Sequence, residues 1–359
     1  MMSIVNNIAH RLVPLCLLLV ALAGCRKEDT PTPDTPSGTP IAFTPETATK
    51  AAVSGVEDIQ NDPNGFRVWS WFQGTTSGPM FGTEGTPVTY DTATPAWTYS
   101  PTRYWMNGNY DFAAIYPAAI TTGEGDAATT TAIAGTYAPA TTGGTPVLTV
   151  PNFDATTQAD LLVAFNNGTD GTGINGATPP DAVHLTFQHA LSLIQLELSL
   201  DPTDFYRPTE TGTEQIGYAF VSESGFYNIP TKMRLDATSY DDMKWTSLAV
   251  SDYNIIFEDA LEVDKAEYFL GEDGTLVMPQ LLDDNIQLYF KVSILFPGIS
   301  DRPITKDYNI QLNTLTTKEW LPGKKYKYTG TIYQDFTIDF SVVRVNNWID
   351  DTLGGVIIN

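Results

Sequence analysis

Cysteine is the scarcest reactive residue in this 359-residue chain, and the setting of one of its two cysteines decides what that thiol does. Cys25 closes the run Leu22-Ala23-Gly24-Cys25, behind an apolar stretch from Leu12 to Leu22 that follows Arg11. A basic residue, a short apolar core and small residues before a cysteine make a secretory signal ending in a lipobox, whose cleavage leaves Cys25 as a diacylated N-terminus. The apolar run is too short to span a bilayer and contains Pro14. The rival reading is an ordinary export signal with a chance cysteine. Cys25 is therefore read as an anchor, and Cys16 lies within the leader, so the mature chain is expected to carry no thiol for a disulfide, a metal or a covalent intermediate.

The remaining chemistry-bearing residues do not converge. His184 and His189 are five residues apart in what reads as extended chain, which aims them at opposite sheet faces rather than at one metal. Both are expected to be structural or surface histidines, with His189 placed to satisfy backbone groups. Gly171-Thr172-Gly173-Ile174-Asn175-Gly176 spells GxGxxG, but a dinucleotide site needs a helix opening at the last glycines, and Ala177-Thr178-Pro179-Pro180 cannot continue one. Asp62-Pro63-Asn64-Gly65 resembles part of a calcium loop, yet position 60 is glutamine and the required glutamate falls on Trp71, which excludes an EF-hand but not a bare surface cation site. No Walker lysine, HExxH or GxSxG elbow occurs. Any two of the 42 acidic residues could be a glycosidase pair, but spacing in sequence does not give their separation. The sequence thus offers no catalytic residue, no metal site and no cofactor.

Removing 24 leader residues leaves 335, which suggests two domains with a sizeable core each, the alternative being one large domain. Loss of Arg11 takes the formal charge of -23 to -24, a field that repels phosphate backbones and excludes nucleic acid as a partner. Beyond Cys25, residues 26–40 contain Thr30-Pro31-Thr32-Pro33-Asp34-Thr35-Pro36, an extended tether reaching about 45 Å. Lys27-Glu28-Asp29 in that tether is either a solvated linker or a lysine-plus-acids signal resembling the one that sends lipoproteins of certain Gram-negative bacteria to the outer face of the outer membrane.

Two-residue alternation dominates the rest. Tyr110, Phe112 and Ala114 line one face of a strand expected to be half-buried and stopped by Pro117; Ile286, Leu288, Phe290, Val292, Ile294 and Phe296 line another. Turn clusters at Gly123-Glu124-Gly125-Asp126, Asn166-Asn167-Gly168 and Pro322-Gly323 separate candidate strands, and long helical periodicity is missing. The fold class is all-β, built as antiparallel sandwiches. Parity marks a junction: Val183, Leu185 and Phe187 are apolar on odd positions, whereas Ile194, Leu196, Leu198 and Leu200 are apolar on even ones. A bulge would flip the register, and so would passage from one sandwich into the next. The expected organisation is leader 1–24, lipidated Cys25 and tether 25–40, a first sandwich 41–182 and a second 183–359.

Several segments in order resemble the fimbrillin (Mfa-like) family of lipoprotein pilin subunits. They are Ile41-Ala42-Phe43 with Ala48-Thr49-Lys50-Ala51, Tyr104-Trp105 with Tyr110 to Pro117, Ala159 to Ala164, Val183 to Ser192, Trp320 to Tyr328, and Val345-Asn346-Asn347-Trp348. The resemblance implies two tandem transthyretin-like sandwiches and a surface-exposed outer-membrane lipoprotein. It also implies polymerisation with other fimbrial subunits once a protease removes an N-terminal strand and a neighbour's strand refills the groove. On that reading Lys50 and Ala51 flank the processing site, Ile41 and Phe43 belong to the displaced strand, and Val356, Ile357 and Ile358 in the C-terminal tail are the candidate donor. The alternating Phe336, Ile338, Phe340 and Val342 lie just upstream of that tail. The family often carries arginine where this chain has Lys50, so either a protease of broader basic specificity acts or the subunit stays uncut and lipid-anchored at a fimbrial base. The partners expected are other subunits, the outer membrane through the lipid, and a host or bacterial surface ligand. An alternative is a stand-alone surface lipoprotein binding glycans through exposed aromatics, for which Trp69, Trp71, Trp97, Trp105, Trp245, Trp320 and Trp348 are the supply.

Overall fold

The computed structural model describes residues 38–47, 55–263, 269–271 and 273–347. The principal strands in the first part of the chain are β1 Phe43–Thr47, β2 Phe66–Gln73, β3 Thr86–Asp91, β4 Asn109–Tyr116, β5 Pro146–Asp154, β6 Leu162–Asn166 and β7 Val183–His189. A short helix α1, Val56–Asn61, precedes β2. After β7 come β8 Ser192–Leu200, β9 Tyr218–Ala237, β10 Lys244–Glu262 and β11 Thr275–Val277. The last are β12 Gln287–Leu295, β13 Ile304–Gln311, β14 Lys324–Ile332 and β15 Ile338–Asn347. The protein is all-β, as its alternation predicts.

Three sheets organise these strands. The first runs β1-β7-β6-β4-β2-β3 and ends on the short strand Ala96–Thr98. The second runs β13-β12-β9-β5 and ends on Thr136–Pro139, with β10 paired to the other edge of β9. The third runs β11-β8-β14-β15, with β8 and β14 parallel and Leu193 opposite Lys325.

Apolar residues gather in three clusters between and beside these sheets. Residues of β4 divide between two of them: Tyr110, Phe112, Ala114 and Tyr116 enter one, while Ala113 and Ile115 enter another with Leu148, Val150, Met233 and Leu235. The strand expected to be half-buried is thus buried on both faces, because the first sheet is covered on both sides. The third cluster joins Ile194, Leu196 and Leu198 to Leu288, Phe290, Val292, Tyr326 and Tyr328. The 20-residue β9 serves two clusters in succession, with Val221, Phe226 and Ile229 in the third and Met233, Leu235 and Ala237 in the middle one.

The parity change between His189 and Leu193 coincides with passage from the first sheet into the third, since β7 pairs with β1 and β6 whereas β8 pairs with β11 and β14. Strand β7, grouped by the sequence reading with the second half, therefore belongs to the sheet built from the first. Strand β5 also reaches across the expected junction to pair with β9, Val150 opposite Leu235. Among the described residues no helix is long and apolar enough to cross a membrane.

Candidate functional site: an edge strand held by its side chains

Strand β1 lies at the end of the first sheet, parallel to β7 in the register Phe43↔Val183 through Thr47↔Phe187. Its entry is clasped on the other side: the Ile41 amide donates to the Arg103 carbonyl at 2.9 Å, and the Trp105 amide donates to the Thr39 carbonyl at 3.1 Å. The Val183 amide donates to the Ala42 carbonyl at 2.8 Å. Alternation then sends Ile41 and Phe43 inward, where they retain only 2% and 5% of their surface.

The Phe43 ring sits among four others. Its centroid lies 5.6 Å from both Phe81 and Tyr99 and 6.1 Å from both Phe66 and Phe112, mostly edge-on or tilted, the arrangement favoured by the ring quadrupoles. The Tyr99 hydroxyl donates to the Ile41 carbonyl at 2.7 Å and accepts from the Arg103 amide at 3.3 Å. Burial pushes the Tyr99 hydroxyl pKa up, against the opposing pull of Arg103, so the group remains a donor. Removing β1 would uncover the β7 edge together with a pocket lined by Phe66, Phe81, Tyr99 and Phe112.

The pocket is what the sequence reading missed. Phe66 and Phe112 belong to recognisable strands, but Phe81 and Tyr99 lie in irregular chain with no periodic signal to assign them to the Phe43 pocket. Of the other residues singled out from the sequence, Cys25, Lys50, Ala51, Val356, Ile357 and Ile358 lie outside the described residues. The alternating Phe336, Ile338 and Phe340 pack against the third cluster, and β15 is antiparallel to β14 in its own sheet.

The histidines point to opposite environments. His184 is exposed, its Nδ1 3.3 Å from Glu46 of β1. His189 is buried, and its Nδ1 meets the buried Asp160 carboxylate at 2.9 to 3.0 Å, where Asp160 enters β6 two residues before Leu162, the residue opposite His189. Its backbone carbonyl accepts from the Tyr240 hydroxyl. Gly171 to Gly176 forms a loop whose Ile174–Asn175 adds to β4, with the Asp170 carboxylate accepting from the Thr172 amide; no helix opens there. Asp62 to Gly65 is the turn leading from α1 into β2, with the Asn64 amide donating to Asp62. Among the described residues no group of three His, Cys, Asp or Glu is placed to hold a metal. Trp69, Trp105 and Trp320 are buried, Trp71, Trp97 and Trp245 are part-buried, and Trp348 lies outside the described residues. Trp69, Trp105 and Trp320 are therefore core, while Trp71, Trp97 and Trp245 each keep part of their surface open.

The fold has solved relatives. A fimbrial protein from Bacteroides vulgatus ATCC 8482 superposes with a TM-score of 0.55 at 13% identity, covering 86% of this chain and 99% of that one, a likeness of fold. A protein described only as a candidate for cell adhesion, from Bacteroides uniformis ATCC 8492, gives a TM-score of 0.47 at 17% identity over 88% of this chain and 100% of its own. A fimbrilin from Porphyromonas gingivalis W83 gives 0.40 at 8% identity over 86% and 97%. No curated protein matches the chain in sequence. The fimbrillin-like family model matches residues 49–348, most of the chain, and the protein belongs to the fimbrillin-like family.

Proposed function

We propose that this protein is a non-enzymatic structural and adhesive subunit of a cell-surface fimbria, exported as a lipoprotein through Cys25 and assembled by β-strand donation. Family membership supports the fimbrial role. In this reading the chain forms two tandem transthyretin-like sandwiches, tethered to the outer membrane by residues 25–40 until processing. A protease cutting between Lys50 and Ala51 releases everything before residue 51, β1 included.

The observation that carries the reading is the way β1 is held. Ile41 and Phe43 fill a preformed aromatic pocket, and the strand adds one short parallel ladder to β7. Its loss leaves an apolar groove beside an unpaired edge, which templates β-strand addition: backbone bonds supply affinity and alternate side chains supply register. A neighbour's strand with apolar residues at two-residue spacing can refill it. The tail with Val356, Ile357 and Ile358 is the candidate donor, and if the subunit is uncut it serves as a lipid-anchored base.

N-terminal sequencing of protein taken from cells tests the processing step. A start at Ala51 is the expected result for a polymer subunit, and a start at lipidated Cys25 identifies an anchor or an unprocessed precursor. Deleting residues 350–359 is expected to abolish ladders of denaturation-resistant multimers while leaving the monomer folded. Normal ladders from that deletion would exclude the tail as donor.

A further inference from the structure

Strand β10 is an edge of a different kind from β1. It runs 19 residues, pairs with β9 along its length, and carries no strand on its other side among the described residues. Proteins usually protect such an edge with lysines, prolines or inward-pointing charges. Between Trp245 and Phe257 this strand has no proline and no cation, and its single charge is Asp252. Three large apolar side chains stand exposed along it: Leu248 at 50%, Val250 at 54% and Ile256 at 76%.

Bulges shape where a partner could add. The pairing shifts register four times: β9 carries the extra residue between Phe226 and Ile229 and between Pro230 and Lys232, whereas β10 carries extra residues between Ser247 and Ala249 and beyond Ile256. This leaves Ala249 to Ile256 as the stretch of β10 itself without an inserted residue. Within it Tyr253 lies midway between Val250 and Ile256. Tyr253 and Ile255 turn toward the third cluster, so the even-numbered residues face the opposite way.

We infer that β10 pairs antiparallel, edge to edge, with the β10 of a second copy of this chain, in the register that places Tyr253 opposite Tyr253 of that copy. The two-fold relation requires opposed residues to share a face, which limits the register to centres on a residue. Centring on Tyr253 sets Val250 opposite Ile256 twice over, covering the exposed pair, and sets Asp252 opposite Asn254, an acceptor facing an amide donor. Centring on Asp252 would place the two carboxylates directly against one another, and centring on Ser251 would set Val250 against Asp252. Of these three centres, only Tyr253 sets the exposed apolar residues against one another without opposing two carboxylates. This edge is separate from the β1 groove, and the inference does not rest on strand donation.

Cysteine pairing reads the register directly. The full chain with Cys16→Ser and Cys25→Ser has no thiol, so Val250→Cys and Ile256→Cys can each be introduced as the sole one. Mild oxidation of the two variants mixed is expected to give a disulfide-linked dimer, while either alone gives far less. Sedimentation of the thiol-free chain should show a monomer–dimer equilibrium, which Ile256→Lys weakens by about tenfold or more while circular dichroism and the thermal midpoint stay unchanged. Deleting residues 350–359 should leave this equilibrium intact. A monomer at every concentration would overturn the inference, as would cross-linking of single variants equal to that of the mixture.

Discussion

Two edges of this molecule solve the same problem in opposite ways. Strand β1 is five residues long, and beside its ladder to β7 it is held by inward side chains, Phe43 in the aromatic pocket with Ile41 just before it and Pro45 just after it also buried. Strand β10 is nearly four times as long, and its hold lies in the backbone ladder to β9, with most of its side chains in water. Under the proposed strand donation, a strand held by side chains is the one that another of matching spacing would replace, because a pocket accepts alternate apolar residues rather than one sequence. A strand held by its ladder is not replaceable in that way, but its free edge remains open to addition. On that reading, burial of alternate side chains rather than length of pairing marks the edge that would be exchanged.

The comparison breaks most decisively at Phe43. Phe43→Ala should destabilise β1 by about 3–5 kcal/mol, since it deletes a ring packed on four others and leaves a cavity. Ile256→Ala, at 76% exposure, should cost within about 0.5 kcal/mol. Hydrogen exchange at the Val183 amide, bonded to Ala42 across the β1 junction, reports the first, and the urea midpoint of the monomer reports both. Equal losses at the two sites would abolish the distinction between the edges.

A smaller effect is expected at the clasp. Tyr99→Phe keeps the ring against Phe43 but removes the hydroxyl that donates to the Ile41 carbonyl, and should cost about 1 kcal/mol. Faster exchange at Val183 with little change elsewhere would show that the hydroxyl acts on β1 locally. An unchanged rate would mean that the aromatic packing alone retains the strand.

Much of this arrangement is legible in the sequence because period-two patterning is a local signal. Ile286 to Phe296 and Ile194 to Leu200 alternate cleanly and occupy the third cluster as their parity predicts. The parity flip near His189 marks the passage between sheets because a strand cannot change its buried face without changing its surroundings. What stayed hidden depends on distant partners. Residues of β4 read as half-buried because the odd-numbered Ala113 is small and Asp111 is charged, yet both are buried, Asp111 held by the Gln73 amide at 2.8 Å. Likewise Asp160 and His189 are 29 residues apart, and nothing local shows that adjacent strands join them. The β1 pocket draws on Phe81 and Tyr99, which belong to no periodic run.

The smallest predicted effects concern pH, and they carry opposite signs in the sheets that hold the two edges. In the first sheet, burial raises the Asp111 carboxyl above its ordinary value of 3.8, with the Gln73 hydrogen bond opposing. The folded chain then holds that proton more tightly than the unfolded chain, so stability falls as pH rises from 3.8 through the raised value. Asp111→Asn keeps an oxygen for Gln73 and removes the buried charge; its thermal midpoint should exceed wild type at about pH 7, the two converging at about pH 3. In the second sheet, Glu223 of β9 accepts from the Lys291 ammonium at 2.8 Å and the Tyr289 hydroxyl at 3.2 Å. The Lys291 hydrogen bond chiefly lowers its pKa below 4.5, against desolvation by burial. That stability is present above 4.5 and is lost as pH falls through the lowered value, so Glu223→Gln should melt below wild type at about pH 7 and approach it in acid. Because Lys291 keeps Asp307 at 4.0 Å as a second partner and both groups are partly exposed, the Glu223 change should be the smaller of the two. Shifts of the same sign in both variants would mean that the buried carboxylate of the first sheet is stabilised in its charged form, contrary to what its burial beside Gln73 implies.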